Sequence, residues 1–174
     1  MTDATIAEVA DQAVSLFVFY RADIDDDRAR AAFADLEWLG RPVDPAPAAG
    51  WRRIATDLEL PIRDGSQPAV RKAAFVDIGP ARWWDEPMRI PIAWRSASLS
   101  PLFPVFAGHV EIGRRGLTLV GRYAPPFGRF GLLIDQGLLH FVARRTARAL
   151  LTRVAAASSR ESGTEDLGAI VSER

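Results

Sequence analysis

The stretch GRYAPPFGRFGLLID, residues 121–135, decides the fold. Upstream of it, Leu117, Leu119, Gly121 and Tyr123 alternate with Thr118 and Arg122, the period-2 pattern of a half-buried strand. Pro125 and Pro126 cannot donate to a ladder, so the strand stops there. Gly128 and Gly131 then let the backbone pass close to a neighbouring surface, and Asp135 suits the positive end of a helix. From 128 to 157 the period becomes helical. Leu132, Asp135, Leu139, Val142, Ala143, Thr146, Leu150 and Val154 form one stripe, with Arg144, Arg145 and Arg148 opposite. The stretch is the hinge between a last strand and one long helix.

Towards the N-terminus the chain reads as more strands. Met88–Ser96 puts Ile90, Ile92 and Trp94 on one face, with Arg89, Pro91 and Arg95 on the other. Val105–Ile112 turns Val110 and Ile112 inward and His109 and Glu111 outward. Such closely spaced strands pair as an antiparallel meander. Earlier strands are expected at 14–20, 51–62 and 70–78, with a Pro-rich loop at 40–50. A short helix at about 27–37 follows Asp25-Asp26-Asp27, whose carboxylates suit free amides at a helix start. The face of strand 70–78 that carries Lys72 is left open, because neither face is cleanly apolar.

A one-faced sheet must cover its apolar side, and the final helix is the one element large enough to do so. The strands must curve around it. The fold class is therefore α+β, a curved antiparallel β-sheet wrapped around a long C-terminal α-helix.

Residues 121–135, together with Ile90-Pro-Ile-Ala-Trp94, resemble the START/Bet v1-like (SRPBCC) superfamily. The resemblance spans about 14–157 and implies a helix-grip fold with a cavity between helix and sheet. That superfamily includes lipid carriers, cyclases and binding modules, so the likeness speaks to fold before function. Residues 1–13 are expected to be loose and 158–174 to form a disordered tail around a domain at 14–157.

Composition removes several classes. The 174 residues are 48% hydrophobic and 25% charged, which suits one globular domain. There is no cysteine, so disulfides, thiolate nucleophiles and zinc ribbons are excluded. Net charge is zero but polarised, with 10 basic and 16 acidic residues in 1–87 against 12 and 6 in 88–174. That balance does not suggest nucleic acid. No stretch is long and apolar enough for membrane insertion, and the acidic start lacks the features of a signal peptide, so the expected location is cytoplasmic.

Asp23, Asp25 and Asp27 open like a calcium loop, but Arg28 and Ala34 stand where its Gly and Glu belong, so a helix start is the better account. His109 and His140 lack a second ligand at metal spacing, so no metal or cofactor is expected. His109 reads as an outward residue beside Glu111, and His140 as lying just off the helical stripe. Trp83-Trp84 precedes a strand, either anchoring a loop or gating a cavity mouth.

The expected function is non-catalytic binding of a hydrophobic small molecule: a lipid, a polyketide-like or an aromatic compound. Its site would be lined by Ile90, Ile92, Trp94, Val110, Ile112, Leu119, Tyr123, Leu139, Val142 and Thr146. The alternatives are a polyketide cyclase or dehydratase-like enzyme and a ligand-free interaction module. The enzyme would use Tyr123 with Lys72 or Asp135, and the module would meet a protein partner through Arg144, Arg145 and Arg148. No catalytic residue is assigned.

Overall fold

The computed structural model describes residues 13–60, 70–97, 105–124 and 136–159. The expectations for 1–12 and 160–174, the Pro125-Pro126 break and Asp135 lie outside these residues, as do the side chains of Lys72, Leu139 and Val142. The elements run β1 (Val14–Arg21), α1 (Asp26–Asp35), β2 (Arg41–Pro42), β3 (Arg52–Leu60), β4 (Val70–Ile78), β5 (Met88–Ser96), β6 (Val105–Gly113), β7 (Gly116–Ala124) and α2 (Gln136–Ser158). The strands form one seven-stranded sheet in the order β1-β7-β6-β5-β4-β3-β2, antiparallel at every step.

The α+β helix-grip architecture read from the sequence is the observed one. Ile90, Ile92, Trp94, Val110, Ile112, Leu117, Leu119 and Tyr123 are all buried on the concave face. Their partners lie in register: Ile90 opposes Val110, and Val110 opposes Leu119. Arg122 is exposed and Glu111 accepts from Arg89 at 3.1 Å on the outer face. β4 resolves as well, with Ala74, Val76 and Ile78 buried on the same concave side. Lys72 shares their strand parity, opposite Leu58.

The outer face of β4 is not the plain wet surface an alternating strand implies. Asp77 is buried there, held by Arg53 Nε and Nη2 at 2.7 and 3.0 Å. Pro45 of the Pro-rich loop accepts from Arg53 Nη1, so that loop caps the outer face at this point. The fork geometry, with the carboxylate, keeps Arg53 firmly protonated. Arg53 and Arg95 also flank the Phe75 ring, at 5.8 and 5.2 Å from its centroid.

α1 starts where the acidic run predicts. Asp25 is its N-cap, accepting from the Asp27 and Arg28 amides at 3.1 and 3.0 Å. Ala29 and Phe33 are its buried face. At its C-terminus Arg52 donates to the Phe33 and Ala34 carbonyls, satisfying acceptors the helix leaves open. α2 runs one residue beyond the expected 157, and its end is tied in. Ser158 O accepts from Asp25 N at 3.0 Å, and Ser159 bridges Ile24.

Candidate functional site

The concave face is organised in rows across the strands. One row reads Val76, Trp94, Phe106, Tyr123 and Val14, each opposite the next. It lies at the end of the sheet from which α2 departs. Phe106, not singled out in the sequence, is its centrepiece. Gly108 and Gly121 oppose each other on β6 and β7, one step inward. A Cβ at Gly108 would stand 2.8 Å from the tip of the Phe106 ring, and one at Gly121 2.5 Å. The tip of the ring therefore lies over bare backbone, and Trp94 stacks on the ring with centroids 4.0 Å apart and planes 14° from parallel. The signal for this was in the sequence: two inward glycines on adjacent strands leave a hole that a neighbouring aromatic must fill.

α2 faces this row with small side chains. Ala143 and Ala147 are fully buried beside Thr146. One turn further on, the buried face changes to Leu150, Leu151 and Val154. Thr146 Oγ1 and Trp94 Nε1 are buried and have no hydrogen-bond partner among the described residues. His140, expected just off the stripe, reaches the row. Its Nδ1 lies 3.4 Å from Tyr123 Oη, with the rings 6.2 Å apart. Burial pushes the Tyr123 phenol above its ordinary value, so it stays protonated and able to donate. Among the described residues the partner of Tyr123 is His140; the expected Asp135 and the Lys72 side chain lie outside them.

The other half of the interior spends its polar groups on structure. Arg153 of α2 turns inward. It donates to Thr56 Oγ1 at 3.0 Å and to the carbonyls of Trp38 and Leu39 at 2.8 and 2.7 Å. Thr56 is thereby occupied; it also donates to Leu39 O at 2.5 Å. Arg144 and Arg148 are exposed, while Arg145 lies over the Phe141 ring at 4.7 Å. His109 bonds Glu111 at 3.3 Å on the outer face, away from the row.

A cleft opens at the opposite end of the sheet. It encloses about 480 Å³ between α1 and the loop before β5, lined by Asp26, Arg30, Trp83, Trp84, Met88 and Ile112 among others. The two tryptophans divide the roles read from the sequence. Trp83 packs edge-on against Phe33, while Trp84 is 80% exposed on the cleft wall. Among the described residues no group of His, Asp or Glu side chains could hold a metal ion, and no helix is long and apolar enough to cross a membrane.

Curved antiparallel sheet, gripped helix and an aromatic inner row define the helix-grip fold, the architecture implied by the START/Bet v1-like resemblance. Solved structures share it. The chain is similar to the Zhui aromatase/cyclase from Streptomyces sp. R1128, with a TM-score of 0.55 over 83% of this chain and 93% of that one, at 10% identity. It also matches the di-domain ARO/CYC StfQ from the steffimycin biosynthetic pathway, at TM-score 0.45 and 16% identity over 90% of this chain and 52% of that one. A third match is DynU16 from the dynemicin biosynthetic locus, at TM-score 0.39 and 18% identity over 84% of this chain and 46% of that one. At such identities the likeness speaks for the fold. No protein-family model and no curated protein matches the sequence.

Proposed function

We propose that this protein binds a hydrophobic small molecule, flat and aromatic or polyketide-like, between the Trp94–Phe106–Tyr123 row and α2. The observation that carries the reading is the pair of buried polar atoms, Trp94 Nε1 and Thr146 Oγ1, that have no partner among the described residues. Native interiors leave few such atoms without a partner. A guest bearing a carbonyl or hydroxyl group would complete both, while its apolar body gains about 25 cal/mol per Å² buried. The stacked pair offers a planar wall, which favours a flat ring system over an acyl chain. That a protein named as an aromatase/cyclase shares the fold supports the same class of guest.

Titration with polycyclic aromatic ketones, followed by tryptophan emission and melting temperature, tests this. Saturable emission change and a raised melting temperature are expected. Trp94→Phe should remove most of the emission response. No emission change and no thermal shift at saturating ligand would sink the binder.

One observation favours catalysis as a second reading. Tyr123 and His140 form a hydrogen-bonded pair at the row, able to give a proton to a ketone oxygen and take one from an adjacent carbon. An enzyme of the cyclase or dehydratase type would lose turnover of a poly-β-keto thioester in His140→Ala and Tyr123→Phe while still binding the ring system. Equal turnover in those variants and the native protein would exclude this pair.

A further inference from the structure

The two edges of the sheet are built differently. β2 closes one edge with two exposed residues, Arg41 and Pro42. A strand so short, ending in a residue without an N–H, is a poor template for another chain. β1 forms the other edge with eight residues in unbroken register against β7, from Val14 opposite Tyr123 to Arg21 opposite Gly116. Among the described residues nothing pairs with its outer side. It holds no proline or glycine, and its one charge is Arg21 at the end. The side chains that usually guard an edge are charged. Here they are Phe17 and Phe19, 65% and 53% exposed. With Val14, they are three of the four large hydrophobic side chains exposed among the described residues.

We propose that β1 is a docking edge for a second copy of this chain, joined by two-fold antiparallel pairing about Val18. The strand is its own complement in that arrangement. Phe17 meets Phe19 of the second copy, twice, on the outer face, and aromatic cross-strand pairs are favourable. Leu16 meets Tyr20, and Val18 meets Val18. The single charge, Arg21, meets Ser15, so no like charges oppose each other. A side chain of about 200 Å² at those two exposures leaves on the order of 250 Å² of phenylalanine surface to cover per copy. With the strand edges added, the contact falls in the small class of protein interfaces, below about 1,200 Å² in total. The dimer therefore forms with rising concentration and is not permanent.

Sedimentation of the full chain over a wide concentration range tests this, with melting curves to verify that each variant folds. The native protein should move from monomer to dimer mass. Phe17→Lys with Phe19→Lys should stay monomeric, since four like charges would meet across the axis. Phe17→Glu with Phe19→Lys places opposite charges across both positions and should dimerise again, now in a salt-sensitive way. A native chain that stays monomeric at every concentration would overturn the proposal, as would a double-lysine variant that dimerises like the native protein. Dimerisation that appears only after removal of residues 1–12 or 160–174 would assign the edge to the chain's own segment instead.

Discussion

The two halves of the interior use polar atoms in opposite ways. Around Arg153 the guanidinium, Thr56 and two backbone carbonyls are joined in one network that clamps α2 to β3 and to the turn after α1. Around Trp94 and Thr146, one buried indole donor and one hydroxyl have no partner among the described residues, and α2 narrows to alanines. Ser158 Oγ in the first half also has no partner among the described residues, but that residue's carbonyl is taken by Asp25. The difference teaches where the molecule is finished and where it is left to be completed. A network that closes on itself holds the fold. Polar atoms left over beside small side chains are what the proposed guest would complete.

The largest test of that contrast is Arg153→Ala. It leaves the Trp38 and Leu39 carbonyls without their donor, and charged hydrogen bonds of this kind are worth about 1.5–3 kcal/mol each before solvent screening. Because Arg153 is only part-buried, a loss of about 2–3 kcal/mol in total is expected, read as a lower urea midpoint at unchanged slope. A variant as stable as the native protein would show that the network holds nothing.

Thr146→Val sharpens the other side. Removing a buried, unpaired hydroxyl at nearly constant volume should stabilise the unliganded protein by about 1 kcal/mol. The same change should weaken binding of a ring system carrying a carbonyl or hydroxyl group. Destabilisation on a similar scale would mean that the hydroxyl is already satisfied, and the halves would then be alike.

The smallest effect concerns Tyr123. Its folded pKa lies above the ordinary 10.0 because burial disfavours the phenolate. Its contribution to stability is full below pH 10 and is lost as pH rises beyond that value, where the unfolded chain ionises first. Melting temperature should therefore fall above about pH 10, and Tyr123→Phe should flatten that part of the curve. An unchanged alkaline limb in the variant would place the phenol in contact with water.

What the sequence carried and what it hid follow the reach of each interaction. Strict alternation fixed the inward faces of β5, β6 and β7, because a one-residue slip would expose every apolar side chain. The acidic run located the start of α1 through a local bond, Asp25 to its own helix amides. The inward turn of Arg153 was not legible, because its partners lie near residue 39 and on β3, far away in the chain. Asp77 was illegible for the same reason: its burial depends on Arg53 and on the loop around Pro45. At the site, Trp94 and Tyr123 were legible from parity, whereas Phe106 and the approach of His140 required the sheet and helix to be laid together.

The glycine pair beneath Phe106 has a consequence for how this protein can change over generations. A side chain at Gly108 or Gly121 would collide with facing backbone as well as with the ring, so those two positions are locked. Phe106 itself rests on them without being held by any polar bond. Variation at this place is thus left to one codon: a smaller residue at 106 would uncover the two glycines, and the strands need not move. Lineages descending from this chain can vary that single position while keeping the sheet intact.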